Sequence, residues 1–122
     1  LNSILKSISI ERFENKFLAK VYQALRIEVN NEIDSLKQLL LDIPDLLNKN
    51  GKVVFITYHS VEDRLVKRFF KNGSFEKEPE KDCFGNVNLK LKRDFKFKTP
   101  SPEEIKFNRR SRSAKLGAAI KL

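Results

Sequence analysis

The sequence is poor in the residues that staple a fold or cradle a cofactor. A single cysteine, Cys83, leaves no disulfide framework and no Cys/His cluster for structural zinc, so no metal is expected. Tryptophan and methionine are absent, and histidine occurs once, so every histidine mechanism rests on His59. The four glycines, at 51, 73, 85 and 117, are too scattered for a Gly-x-Gly-x-x-Gly turn or a P-loop. Apolar runs such as Leu39–Leu41 and Val53–Ile56 fall far short of the ~20 residues a membrane helix needs. No signal peptide, internal repeat or low-complexity tract is present, and a soluble, cytoplasmic protein is the simplest reading. The chain opens on Leu1 rather than Met, directly into an apolar pattern, which reads as a fragment or processed piece.

What is present is one domain's worth of chain: 122 residues, 40% hydrophobic and 34% charged. The net charge of +9 is unevenly placed. Residues 1–50 hold seven basic and seven acidic side chains, whereas residues 51–122 hold 18 basic against nine acidic. That asymmetry suits a polyanionic partner, whose phosphates shed counterions on contact, although it also suits a solvated surface.

From Phe17 the apolar positions Leu18, Val21, Leu25, Val29, Ile33, Leu36 and Leu40 step by three or four, which predicts a helix with one apolar stripe. Pro44 is expected to stop that helix or restart it as a short second one over Pro44–Asn48, ending at a left-handed Gly51. Residues 1–16 have partial helical character through Ile4, Leu5 and Ile8. Lys52–Thr57 is β-branched and apolar on both faces, as in a parallel strand covered on both sides. Ser60-Val-Glu-Asp63 has capping-box spacing with Ser60 as N-cap, and opens a helix carrying Val61, Leu65, Val66, Phe69 and Phe70. A polar loop fills 73–86. Alternation of Val87, Leu89, Leu91 and then Phe95, Phe97 against lysines predicts strand with one wet face. Its lysines either guard a sheet edge or touch RNA. Ser101-Pro-Glu-Glu104 caps a short helix to about Phe107, and residues 114–122 form a last strand. The order reads as the closing half of an α/β sheet.

Two places could carry chemistry. Tyr58, His59 and Ser60 lie where the buried strand hands over to a helix, the edge at which open α/β sheets bind ligands. A packing histidine and a capping serine are the plainer readings. Arg109, Arg110, Arg112 and Lys115, four cations within seven residues, could pair with phosphate or could be a solvated turn.

Three stretches together resemble one family. Tyr22-Gln-Ala-Leu-Arg-Ile-Glu-Val-Asn-Asn-Glu32 is the first. Gly51-Lys-Val-Val-Phe-Ile-Thr-Tyr-His-Ser-Val-Glu-Asp-Arg64 with Val66-Lys-Arg-Phe-Phe70 is the second, and Pro100-Ser-Pro-Glu-Glu-Ile105 through Arg112-Ser-Ala-Lys-Leu116 is the third. In that order they resemble the bacterial MraW-type methyltransferases, also called ribosomal RNA small subunit methyltransferase H, across about residues 17–122. Tyr22 and Tyr58 stand where phenylalanine is frequent in that family, and the 73–86 loop has one cysteine where some relatives carry several.

The resemblance implies an S-adenosylmethionine-dependent enzyme that methylates N4 of a cytidine in the decoding region of 16S rRNA, with the small ribosomal subunit as partner. It implies a Rossmann-like sheet whose C-terminal part is residues 17–122, with residues 1–16 ending an inserted helical domain. Val53–Thr57 would be the fifth strand, and the strands near 87–98 and 114–122 its antiparallel closing pair. The family's cofactor loop lies upstream, so no residue here is assigned to S-adenosylmethionine, and the isolated fragment is expected to be inactive. Tyr58, His59 and Ser60 would be the catalytic candidates at the strand's carboxyl edge, with Glu62 and Arg64 in support and His59 lining the target-base pocket, and Arg109, Arg110, Arg112 and Lys115 would hold rRNA phosphates. A non-enzymatic RNA-binding or assembly module is the competing reading. The unpaired edge of Val53–Thr57 is expected to make the fragment dimerise or otherwise become covered.

Overall fold

A computed structural model describes residues 3–4, 14–76, 78 and 81–122. The expectation for residues 1–16 falls mostly outside these; Ser3 and Ile4 are helical. No helix among the described residues is long and apolar enough to cross a membrane. The chain divides into two compact units, Leu1–Ser35 and Leu36–Leu122.

The first unit contains helix α1 (Glu14–Val29) and the start of α2 (Glu32–Leu46). The expected single helix therefore breaks at Asn30–Asn31, thirteen residues before Pro44. Asn31 takes a left-handed φ of 53°, a conformation asparagine tolerates better than most side chains. Its carbonyl accepts from the Ser35 hydroxyl at 2.9 Å, while Glu32 receives Asn30 and Arg26, so the break is pinned on both sides. Pro44 neither stops nor restarts a helix. It sits buried in the last turn of α2, where its missing N–H forfeits only the bond to the Leu40 carbonyl. Asn50, at φ 65°, takes the left-handed role expected of Gly51. Gly51 answers a different need, since a Cβ there would lie 2.8 Å from the Asn48 carbonyl oxygen.

In the second unit, strands β1 (Lys52–Thr57), β2 (Leu91–Arg93) and β3 (Lys115–Lys121) form a sheet in the order β1-β3-β2. Both ladders are antiparallel, pairing Val53 with Ala119, Phe55 with Gly117, Thr57 with Lys115, and Leu91 with Lys121. The expected closing pair is present, whereas a parallel neighbour for β1 is not among the described residues. Helix α3 (Ser60–Asn72) and the latter part of α2 cover one face. Leu40, Ile43, Val66, Phe69, Phe70, Leu91 and Ala119 form the core there, with Val53 and Phe55 packed against it. Burial of these side chains is the main driving force for the unit, roughly 1.5–3 kcal/mol for each large one. On the other face Val54 and Ile56 are 60% and 58% exposed, so β1 is covered on one side only, contrary to its all-apolar sequence.

The alternating stretch 87–98 is regular only over Leu91–Arg93. Lys98 rejoins β3 through an isolated bridge to Leu116, and Val87 bridges to Lys81. Between them Asp94 donates its N–H to the Ala118 carbonyl and accepts from Lys52 Nζ at 3.0 Å, which turns the chain. Phe97 then lies over Gly117, where a Cβ would come within 2.5 Å of the ring. Helix α4 (Pro102–Phe107) begins as the sequence predicts, with the Ser101 hydroxyl accepting from the Glu104 N–H at 3.2 Å. Gly73, at φ 69°, closes α3 by donating to the Phe69 carbonyl.

Gly117→Val should destabilise the chain by about 1–3 kcal/mol, because the added side chain meets Phe97. Urea titration checks this, and pairing the change with Phe97→Leu should recover part of the loss; equal stability of the two valine variants would remove Phe97 as the cause.

Candidate functional site

The carboxyl end of β1 passes into α3 through Tyr58 and His59. His59 has extended backbone (φ −137°, ψ 162°) and is the N-cap, so the cap lies one residue earlier than the Ser60 expected from the spacing. The cause is a reciprocal arrangement. His59 Nδ1 accepts from the Glu62 N–H at 3.4 Å, and the Glu62 carboxylate reaches back to accept from the Tyr58 N–H at 3.1 Å. Glu62 reaches back as in a capping box, but to the N–H of the residue before the cap, and Ser60 enters the first turn. The Ser60 carbonyl accepts from Arg64 Nε at 3.2 Å.

Of the three candidates here, Tyr58 and Ser60 are exposed and His59 is largely enclosed. His59 Nε2 lies 3.0 Å from Glu62 Oε1, but off the direction a hydrogen bond needs, so that nitrogen has a charge beside it and no hydrogen-bond partner. Among the described residues, the buried side-chain polar atoms without a hydrogen-bond partner are Thr57 Oγ1, His59 Nε2, Asp63 Oδ1 and Ser74 Oγ. The first three fall within seven residues at this junction. Buried polar groups are rarely left unmatched, so this local concentration singles out the junction as a candidate site.

Asp63 is the electrostatic centre of the junction. Its Oδ2 accepts from Lys67 Nζ at 2.9 Å and from Lys115 Nζ at 3.1 Å, joining α3 to β3. Burial pushes the Asp63 carboxyl up, but the hydrogen bonds and charges of the two lysines outweigh it and hold the group below its ordinary value. The sequence marked Asp63 only as a helix-start acid. Its pairing with Lys67 was legible at helical i,i+4 spacing, whereas its pairing with Lys115 depends on the β1–β3 register.

Arg109, Arg110 and Arg112 come together on a 3₁₀ turn, Arg109–Ser113, and all three are exposed. Asn108 organises the turn: its Oδ1 accepts from the Arg110 N–H at 3.2 Å and its carbonyl from the Ser111 hydroxyl at 2.7 Å. Lys115 follows at the start of β3, half-buried and bound to Asp63, with the remaining ammonium donors uncommitted to that carboxylate. In the 73–86 loop, Asp82 folds the segment on itself by accepting from the N–H groups of Asn86 and Phe84, and Cys83 is exposed.

Asp63→Asn should cost about 1.5–3 kcal/mol at neutral pH, since charge-assisted bonds are lost. The folded carboxyl titrates below its unfolded value of about 3.9, so its contribution is complete above that pH and disappears as pH falls through the folded value. Urea titrations from pH 7 to pH 2 should therefore show the variant and the parent converging in acid; a constant gap would mean that charge is not the source.

The comparisons agree with the three resembling stretches. The model of the MraW methylase family matches residues 1–122. The chain is 51% identical over 122 residues to the ribosomal RNA small subunit methyltransferase H of Christiangramia forsetii, covering all of this chain and 40% of that protein. It is 50% identical over 122 residues to the protein of that name from Flavobacterium johnsoniae, again covering all of this chain and 40% of the relative. With the one from Parabacteroides distasonis it shares 48% over 120 residues, 98% of this chain and 39% of the relative. It thus spans about two fifths of the length of these curated relatives. The chain belongs to the MraW methylase family.

Proposed function

We propose that this chain is the C-terminal part of an S-adenosylmethionine-dependent enzyme, in a Rossmann-like sheet, that methylates N4 of a cytidine in the decoding region of 16S rRNA. The reading rests on one observation: a match to the MraW family along the entire chain, with close relatives named as small-subunit rRNA methyltransferases. The cytoplasm is the compartment where such a substrate is met.

The residues present do not fit the methyl donor. Gly51 is packed on Asn48, Gly73 closes a helix, Gly117 lies under Phe97, and Gly85 turns an open loop, so no glycine forms a cradle for a nucleoside. S-adenosylmethionine supplies the methyl group from a site outside these residues, and the chain by itself is inactive. Its own share of the work is positioning the acceptor. Tyr58, His59 and Ser60, backed by Glu62 and Arg64, border the target base, and the enclosed His59 ring beside Glu62 is placed to hold the cytosine amine or take its proton. Arg109, Arg110, Arg112 and Lys115 hold the rRNA backbone, the arginines by forked contacts to phosphate. The outer edge of β1, unpaired among the described residues, favours pairing of the isolated chain with a second copy.

In the full-length enzyme, His59→Ala should lower methyl transfer to small-subunit rRNA by about 100-fold or more, read as incorporated radiolabel; undiminished incorporation would exclude His59 from the base pocket. Replacing Arg109, Arg110 and Arg112 together by alanine should weaken RNA binding and flatten its log–log salt slope by about 2, at about 0.7 per single-strand phosphate contact. An unaltered slope would remove the turn from the RNA surface. The chain alone should give no calorimetric signal with S-adenosylmethionine and should sediment as a dimer.

A further inference from the structure

A second basic surface lies apart from the arginine turn. Lys67, Phe70, Lys71, Lys92 and Arg93 line a groove of about 320 Å³ between the C-terminal half of α3 and the edge strand β2. Its lining holds four cations and no acid. Lys67 is tied to Asp63, whereas Lys71, Lys92 and Arg93 make no ion pair among the described residues, and all three are exposed. Lys71 has a partial explanation in the negative end of the α3 dipole, and the strand lysines in guarding an edge. Neither accounts for cations from two elements meeting across one groove, where like charges repel unless an anion lies between them.

One acid links a groove residue to the strand that follows the arginine turn. Lys67, on the groove, and Lys115, two residues beyond the turn, bind the same Asp63 oxygen at 2.9 Å and 3.1 Å. We propose that the groove lined by Lys67, Lys71, Lys92 and Arg93 is a second contact for the sugar–phosphate backbone of RNA, extending a track that begins at Arg109–Ser113. This rests on the reading of the protein as an rRNA methyltransferase. RNA is favoured over an acidic protein because the groove floor offers only Phe70, itself 3% exposed, and so no apolar anchor pocket of the kind protein partners use. Lysines on adjacent helical turns, with Arg93 and Lys92 opposite, suit repeated phosphates better than a single anion.

The test is made in the full-length enzyme with small-subunit rRNA fragments, using Lys71→Ala, Lys92→Ala and Arg93→Ala combined, Lys67 being left to Asp63. Affinity should fall by about 10-fold or more at low salt, and the log–log slope should flatten by about 2. The charge-preserving set Lys71→Arg, Lys92→Arg and Arg93→Lys should stay within about threefold of the parent if phosphates are the ligand. A flattened slope in the arginine-turn variant with an unchanged one here would overturn the groove alone; unchanged slopes in both would overturn the rRNA reading itself. Normal binding to naked rRNA with weakened binding to intact subunits would assign the groove to an acidic ribosomal protein and likewise overturn the proposal.

Discussion

One carboxylate oxygen fixes much of the second unit. Asp63 is buried at the start of α3, and its Oδ2 holds Lys67, one turn along the same helix, and Lys115, at the start of β3. A carboxylate taken out of water stands only with its charge answered, so the distance between the helix start and the strand start is not free to vary. Thr57 pairs with Lys115, which places β1's last residue, α3's first turn and β3's first residue at one corner. From that corner the arginine turn leads backward in sequence and Gly117 leads forward, to sit under Phe97. At the far end of β3, Lys121 Nζ donates to the Leu47 carbonyl, and Asn50 and Gly51 bond the Lys121 backbone. The strand is thus held at both ends by charge or hydrogen bonds and in the middle by packing.

Local patterns in the sequence were legible where a single element decided the outcome. The strand at 52–57, the Ser101 cap with Pro102 behind it, and the apolar face of α3 all follow from spacing alone. What escaped needed two elements at once. Asn31 breaks the first helix because Ser35, Glu32 and Arg26 close around it, whereas Pro44, a stronger local signal, is absorbed because it falls in a final turn with little left to disrupt. His59 displaced Ser60 as cap through a carboxylate three residues on. At the candidate site, position and spacing singled out His59 and the basic turn as candidates. They could not find Asp63 as the common tether, since residues 63 and 115 have no periodic relation.

The sequence of β1 also says something the sheet does not yet satisfy. Val54 and Ile56 are as apolar as Val53 and Phe55, yet only the inner pair meets the core. Two β-branched residues half-open on an edge strand are a liability that soluble folds ordinarily suppress with charge. The described residues leave that face of β1 open, in a chain that spans about two fifths of the length of its curated relatives. The strand reads as fully buried because its composition is apolar on both faces, while the described residues cover only one.

Charge follows a related economy. Residues 1–50 are balanced, and the whole surplus of +9 lies from residue 51 onward. The fold does not scatter that surplus. It gathers three arginines on one short turn and four cations on one groove, and at the junction sets an acid that neutralises only part of what surrounds it. Concentrating like charges costs stability that an interspersed surface would avoid. Asp63 limits this cost where the lysines approach most closely and leaves the outlying cations unanswered. One carboxylate cannot balance two lysines, so it holds both in place while leaving the surface around them positive.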